Sequence, residues 1–539
     1  MLLKYLSPLF FTTYSYASSP NYAAGHSGII HLFEWHWDTI ADECERFLGP
    51  KKVGGIQISP PHENRVIYNN GDRPWWERYQ PISYKFETRS GDEKALKNMI
   101  KRCNAVGVRI YPDVVINHMC GGGGTGTGTG GTYFDANSES FPGVPYSSLD
   151  FNDGNCNSGS GNIENYQDTN QVRNCRLVNL IDLNQSKTYV REKIADMMNS
   201  LISFGVAGFR VDACKHMWPG DLEVIFNDLL SNVNADLGGG KPYIFQEVID
   251  QGGEPITASQ YFGAGSVTEF KYGIQVANNI QQIHYLGTLG ESWGLMPDQY
   301  ALAFLSNHDN QRGHGGGGSL ITFENPYDYK VGTAFMMAWP YGVKRVMSSY
   351  YFSNTDQGPP ANQRGIASDY AESCTNGWVC EHRWKAIAAS FRFAGAVEGT
   401  SMNNWWDNGN NAIAFSRGNK GFIAINKSSG TITNALKTGL PAGSYKDLVS
   451  GASYSVGSDG KVSISLSNND DKNIIMLVND DGGDDPTPPG PSPTDGTCDV
   501  SAKIDCGFLG IDQSGCEAKG CCWKEVNVSG EPWCYYPEN

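Results

Sequence analysis

The chain is short of positive charge. Its 539 residues include 41 Lys and Arg against 57 Asp and Glu, a net charge of −16. That balance argues against nucleic acid or another polyanion as partner, because phosphate binding needs Lys/Arg-rich surfaces. Uncharged or cationic substrates fit better. Long hydrophobic runs are also missing. After the N-terminus nothing approaches the roughly eighteen apolar residues of a membrane span, so no membrane partner is expected. The glycine-rich run "GHGGGGS" (313–319) lacks the G-K-[ST] of a phosphate loop. His216 has no companion His/Cys set for zinc. No short tandem repeat occurs.

What is present suits a large exported protein. Apolar residues make up 40% and aromatics 12% of the chain, enough for the cores of about three domains. Thirteen Trp and 27 Tyr serve sugar stacking and core packing alike. The N-terminus "MLLKYLSPLFFTTYSYASSPNY" has one Lys, a short apolar stretch and a small-x-small site, a secretory leader over 1–17 cut after Ala17. Fourteen Cys fit an oxidising compartment. N-x-S sequons at Asn184, Asn426 and Asn527 permit glycosylation. The expected location is extracellular.

The chain divides by texture. Over 18–116 and 183–395, strand-like runs ("GGIQIS", "GVRIYPDVVI", "GVAGFRV", "PYIFQEVI", "LAFLSN") alternate with helical stretches ("DEKALKNMIKRCNAVG", "YVREKIADMMNSLISFG"). That repetition predicts an α/β fold, a (β/α)8 TIM barrel. Residues 117–182, with "GGGGTGTGTGG" and Asn/Asp/Ser-rich text, read as an inserted loop-rich B domain. Short alternating runs over 396–479 predict an antiparallel β-sandwich C domain. Residues 480–497, rich in Pro, Gly and Asp, are a semi-extended linker. Six Cys then fall within 498–539, a piece too small to fold without staples. Sequence alone allows fifteen pairings of them.

Four of the barrel strands turn polar at their C-terminal ends. These ends are "VRIYPDVVINH", "GFRVDACKH", "YIFQEVID" and "FLSNHDNQ". A barrel gathers such ends into one bowl, where active sites of this fold lie. Asp212 and Glu247 stand about one βα unit apart, so adjacent strands would bring their carboxylates together. A retaining glycosidase needs such a pair about 5–5.5 Å apart.

The segments "DVVINH" (113–118), "GFRVDACKH" (208–216), "FQEVID" (245–250) and "FLSNHDNQRGHG" (304–315) resemble the four signature regions of α-amylases, closest to the chloride-dependent animal type. Similarity continues through "HLFEWHW", "SPPHEN", "RPWWERYQP" and "CTNGWVCEHRW", covering nearly all of 20–480. The tail "CGFLGIDQSGCEAKGCCW…PWCYYP" resembles a trefoil (P-type) domain.

The resemblance implies a secreted, endo-acting, retaining enzyme on internal α-1,4 links of starch, glycogen and maltooligosaccharides. Asp212 would be the ionised nucleophile, Glu247 the protonated general acid/base and Asp309 the carboxylate that stabilises an oxocarbenium-like transition state. Chloride would lie between Arg210, Asn307 and Arg345, beside Glu247, where an anion disfavours the ionised acid. An isolated R-x-D could equally be an ion pair between Arg210 and Asp212. Calcium would be held by the side chains of Asn117 and Asp182 and the carbonyls of Arg173 and His216, hard oxygens of the kind Ca²⁺ prefers. Trp75, Trp76, Tyr79 and Gln80 would line the glucan, with His118, Tyr166, Lys215 and His308 hydrogen-bonding it.

The implied disulfides are Cys44–Cys103, Cys156–Cys175, Cys374–Cys380, Cys498–Cys522, Cys506–Cys521 and Cys516–Cys534. They leave Cys120 and Cys214 as buried, inert thiols. Glu87 stands where vertebrate members have Cys, which puts the rigidity of the inserted domain in question. A mucin-type glycan is a candidate ligand for the trefoil, and a monomer is expected. The alternatives are a transglycosylase or exo-hydrolase on the same barrel, separable by product sizes, and a non-catalytic carbohydrate-binding protein. The last requires a missing acid, and none is missing.

Overall fold

The computed structural model describes residues 19–480, except 70, 362–373, 375 and 470–471, together with 513, 516, 521–525 and 533–535. The leader, the linker after Asp480, Cys498, Cys506 and the sequon at Asn527 lie outside the described residues.

Eight parallel strands close into a barrel in chain order: β1 Ser27–Leu32, β2 Val53–Ile58, β3 Arg109–Val114, β4 Gly208–Val211, β5 Tyr243–Gln246, β6 Ser266–Glu269, β7 Ala301–Ala303 and β8 Val343–Ser348. β8 pairs back onto β1. Helices cover the outside, so the strands are buried on both faces and read as continuous apolar runs. The helix Glu93–Ala105 shows the other half of the pattern. Asp92 caps it by accepting from the Ala95 amide at 2.8 Å, and Leu96, Met99, Ile100 and Cys103 form its buried stripe. Between β4 and β5 the chains nearly touch. A Cβ on Gly208 would lie 2.0 Å from the Tyr243 carbonyl oxygen, so glycine is required there. The register Gly208↔Tyr243 to Val211↔Gln246 then delivers the next two residues, Asp212 and Glu247, at the same height.

The insertion between β3 and β4 is built from two small antiparallel pairs, His118–Gly121 with Leu180–Asp182 and Thr125–Thr127 with Tyr133–Asp135. Polar clamps hold its glycine run. Buried Glu63 accepts from the amides of Gly130 (2.8 Å) and Thr132 (2.9 Å) and from the Ser83 hydroxyl (2.5 Å). Arg65 donates to the carbonyls of Gly121 (3.2 Å) and Gly123 (3.1 Å). The Thr129 hydroxyl donates to the Glu87 carbonyl at 2.6 Å, so position 87 is tied to the run without a disulfide.

After the helix Lys385–Ala396, eight strands between Met402 and Val478 form two four-stranded antiparallel sheets. The inner sheet contains Ala412–Arg417 and Gly421–Asn426, buried throughout, because one face packs on the barrel helices and the other on the second sheet. The outer sheet alternates, as in Lys461–Leu466, since only one face is covered. Asn426 is fully buried and its amide nitrogen donates to the carbonyls of Gly430 and Leu466. Asn184 is also buried. The sequon at Asn426 therefore presents no free amide, whereas at Asn184 only the side-chain oxygen is engaged, accepting from Ser186.

Cys44–Cys103, Cys156–Cys175, Cys374–Cys380 and Cys516–Cys534 are disulfides. Cys521 and Cys522 are also disulfide-bonded. In the trefoil segment Cys522–Trp523 pairs antiparallel with Cys534–Tyr535. Cys120 and Cys214 are free and buried. Burial pushes the Cys120 thiol up to about 12, which makes it unreactive at neutral pH. Among the described residues no helix is long and apolar enough to cross a membrane.

Candidate active site

The barrel's C-terminal rim carries a cleft of ≈ 800 Å³. Trp75, Trp76, Tyr79 and Gln80 line one part, His118 and Tyr166 come from the insertion, and Asp212, Glu247, His308 and Asp309 form the floor. Lys215 and His216 line it too. All of these positions were expected at a site from sequence, and the fold brings them together.

One guanidinium organises the floor. Arg210 Nη1 donates to Asp113 Oδ1 at 2.6 Å and to Asp212 Oδ1 at 2.7 Å, while Nη2 lies 2.8 Å from Glu247 Oε1. Asp212 and Glu247 therefore sit on the two prongs of one planar fork. The second Glu247 oxygen accepts from the Ala213 amide at 2.9 Å. So Arg210 does pair with Asp212, but within a four-member cluster rather than as an isolated couple. Removing one partner of such a buried cluster typically costs about 3–5 kcal/mol.

Asp113 is the residue that sequence reading passed over. It lies within the quoted "DVVINH" but was given no role. It is fully buried, pairs with Arg210 in register across β3 and β4, and accepts from the Tyr79 hydroxyl at 2.8 Å. Its only sequence signal was a carboxylate inside an apolar strand, which wants a partner.

Four carboxylates, Asp113, Asp212, Glu247 and Asp309, thus crowd one buried region. Burial, followed by the charge on Glu247, pushes Asp309 up to about 7. Burial also raises Asp212 well above the carboxylate range, with Arg210 opposing and Glu247 adding to the rise, a direction opposite to that of the ionised nucleophile expected from sequence. Asp309 is thus biased toward its protonated form near neutrality.

The aromatic wall is rigid. Tyr79 stacks on His308 with centroids 5.3 Å apart, and Trp75 meets His308 edge-on at 5.4 Å. Trp75 is 5% exposed and its indole donates to the Thr355 carbonyl, so it is both core and cleft wall. The Lys215 ammonium donates to the Ile249 carbonyl at 3.0 Å and pairs with Glu254. Those partners occupy donors that sequence reading had reserved for glucan.

Two further groups of residues bear on ions. Burial holds His118 down at about 4, so the ring is neutral. It must donate from Nε2 to the Tyr79 carbonyl (3.0 Å), which leaves Nδ1 to accept from the Asn117 amide nitrogen (3.2 Å). Asn117 Oδ1 is then buried without a partner, as is Asp182 Oδ1. The other Asp182 oxygen accepts from Asn152 at 2.9 Å. Two unpaired hard oxygens fit a Ca²⁺ donor set. Among the described residues no cluster of three His, Cys, Asp or Glu could hold a metal, so a calcium site would depend on amide and carbonyl oxygens. Lower in the barrel, Arg210 Nε is buried without a partner. Burial, then repulsion from Arg210, brings Arg345 down to about 10. The Asn307 side-chain oxygen Oδ1 accepts from the amides of Asp309 (3.0 Å) and Asn310 (2.7 Å), which leaves its side-chain NH₂ to donate elsewhere. This donor set fits a small anion.

Family models match residues 403–482 as the alpha amylase C-terminal all-beta domain and 497–537 as the trefoil (P-type) domain. The chain is 53% identical over 479 residues to an alpha-amylase of Pecten maximus, covering 85% of this chain and 94% of that one. It is 51% identical over 509 residues to human pancreatic alpha-amylase, covering 88% and 99%. A variant of alpha-amylase I from Eisenia fetida, solved with maltohexaose, superposes with a TM-score of 0.79 at 43% identity, covering 86% of this chain and 99% of that chain.

Proposed function

Since the chain belongs to the α-amylase family of glycoside hydrolases, we propose that Asp212, Glu247 and Asp309 carry its reaction: endo-hydrolysis of α-1,4-glucans with retention of configuration. The observation that supports this most is the Arg210 fork, which seats Asp212 and Glu247 side by side at register-matched strand ends. Asp212 attacks the anomeric carbon and Glu247 protonates the leaving oxygen, then Glu247 takes a proton from the water that releases the sugar. Asp309, lining the same cleft, stabilises the oxocarbenium-like state. Trp76 and Tyr79 offer aromatic surface to glucose rings, with Trp75 backing them, and the cleft suits an internal chain segment. The maltohexaose held by the Eisenia fetida relative supports an α-glucan as ligand. The leader sequence and the disulfides support secretion.

The test follows products. On starch, iodine staining should collapse while reducing ends are still few, and NMR of fresh maltohexaose digests should show α-anomers first. Initial release of β-anomers would overturn retention, and maltose alone from the outset would favour the exo-hydrolase.

Asn117 and Asp182, with the carbonyls of Arg173 and His216, would hold calcium and tie insertion to barrel. A chelator should then lower melting temperature and activity together, and an unchanged melt would count against this site. Arg210, Asn307 and Arg345 would hold chloride, whose negative charge beside the acid favours its protonated form. The rest of the proton handling falls to the chain's own carboxylate cluster.

A further inference from the structure

We propose that Gln57 is a positioning residue: it orients Arg345 while leaving that arginine's charge unneutralised, and so makes the site dependent on an external halide. This rests on the halide reading above. Gln57 lies in β2, fully buried, and its Oε1 accepts from Arg345 Nη1 at 3.0 Å. Among the described residues Arg345 forms no ion pair, and its guanidinium lies 4.7 Å from the Phe304 ring centroid. A neutral amide therefore fixes the direction of this cation, and no carboxylate forms an ion pair with it among the described residues.

The surroundings sharpen the point. Gln57 Nε2 has no partner. Neither ring nitrogen of His31, its register neighbour on β1, has a partner. Arg210 Nε is the third such donor. Buried donors without acceptors are costly, about 1–3 kcal/mol each. Their concentration beside Arg345 and Arg210 marks a place for an acceptor that carries negative charge. Burial first, then Arg345 and Arg210, keeps His31 neutral, so the layer's positive charge rests on the arginines alone. A carboxylate at position 57 would fit the same space and satisfy Arg345 from within the chain.

The experiment uses exhaustively dialysed full-length protein and sodium chloride as probe. Apparent halide affinity is read from the melting-temperature shift and from tryptophan fluorescence, beside kcat. For the wild type all three should rise or shift with chloride. Gln57→Glu should bind chloride at least ten-fold more weakly, and its halide-free kcat should be a larger fraction of its own maximum than in wild type. Gln57→Met, nearly the same shape and uncharged, should also bind at least ten-fold more weakly but gain no halide-free activity. That contrast of charge separates positioning from loss of packing, and Gln57→Met alone still tests the proposal if the Glu variant does not fold. Wild-type-like chloride affinity in the variants would overturn it. A wild type indifferent to chloride in melting, fluorescence and kcat would remove the halide reading itself, and this proposal with it.

Discussion

Glu247→Gln should lower kcat on maltohexaose by about 10²–10⁴-fold, the usual share of a positioned general acid. The substitution keeps the shape and removes the transferable proton. The walls that grip the sugar are untouched, so maltohexaose binding measured by calorimetry should stay within a few-fold of wild type. Stability should fall as well, for a reason visible in the hydrogen bonds. Each oxygen of Glu247 faces a donor, Arg210 Nη2 on one side and the Ala213 amide on the other. A carboxamide must turn its NH₂ toward one of them, which costs about 1–3 kcal/mol. Activity within ten-fold of wild type would remove Glu247 from the acid role.

Asp212→Ala should be at least as damaging, about 10⁴-fold or more, because the covalent route closes altogether. It also allows a stereochemical check. With added azide and an activated α-glucosyl substrate, a small anion can enter from the face the carboxylate occupied. One displacement in place of two should then give the β-glucosyl azide. Arg210 retains Asp113 and Glu247 as partners in this variant, so folding should survive. An α-configured azide, or no rescue beside a folded protein, would assign the nucleophile elsewhere.

Both expectations begin in the sequence. Continuous apolar runs separated by amphipathic helical stretches were enough to read a barrel, because a strand buried on both faces has nowhere to place polar residues until its end. The polar ends marked Asp212, Glu247 and Asp309. The outer sandwich sheet was legible through its alternation. The inner strands were read as alternating too, but they are buried on both faces; being short and apolar, they are strands all the same. Sequence also suggested that losing a cysteine at position 87 would loosen the insertion. It could not show that Glu63, Arg65 and the Glu87 carbonyl hold the glycine run, since those bonds join residues about 40 to 70 apart. The sequon at Asn426 was misleading for the same reason. Asn426 looks like any N-x-S until the fold commits its amide to two buried carbonyls.

Local composition and periodicity determined the barrel, the order of its parts and which acids stand at strand ends, because each of those is written within a dozen neighbouring residues. Only the tertiary structure decided which charges meet. Arg210 reaches Asp113 across 97 residues of chain, and Gln57 reaches Arg345 across 288. Strand register and barrel closure create those contacts, and electrostatic energy depends on distance in space, which the order of residues does not record.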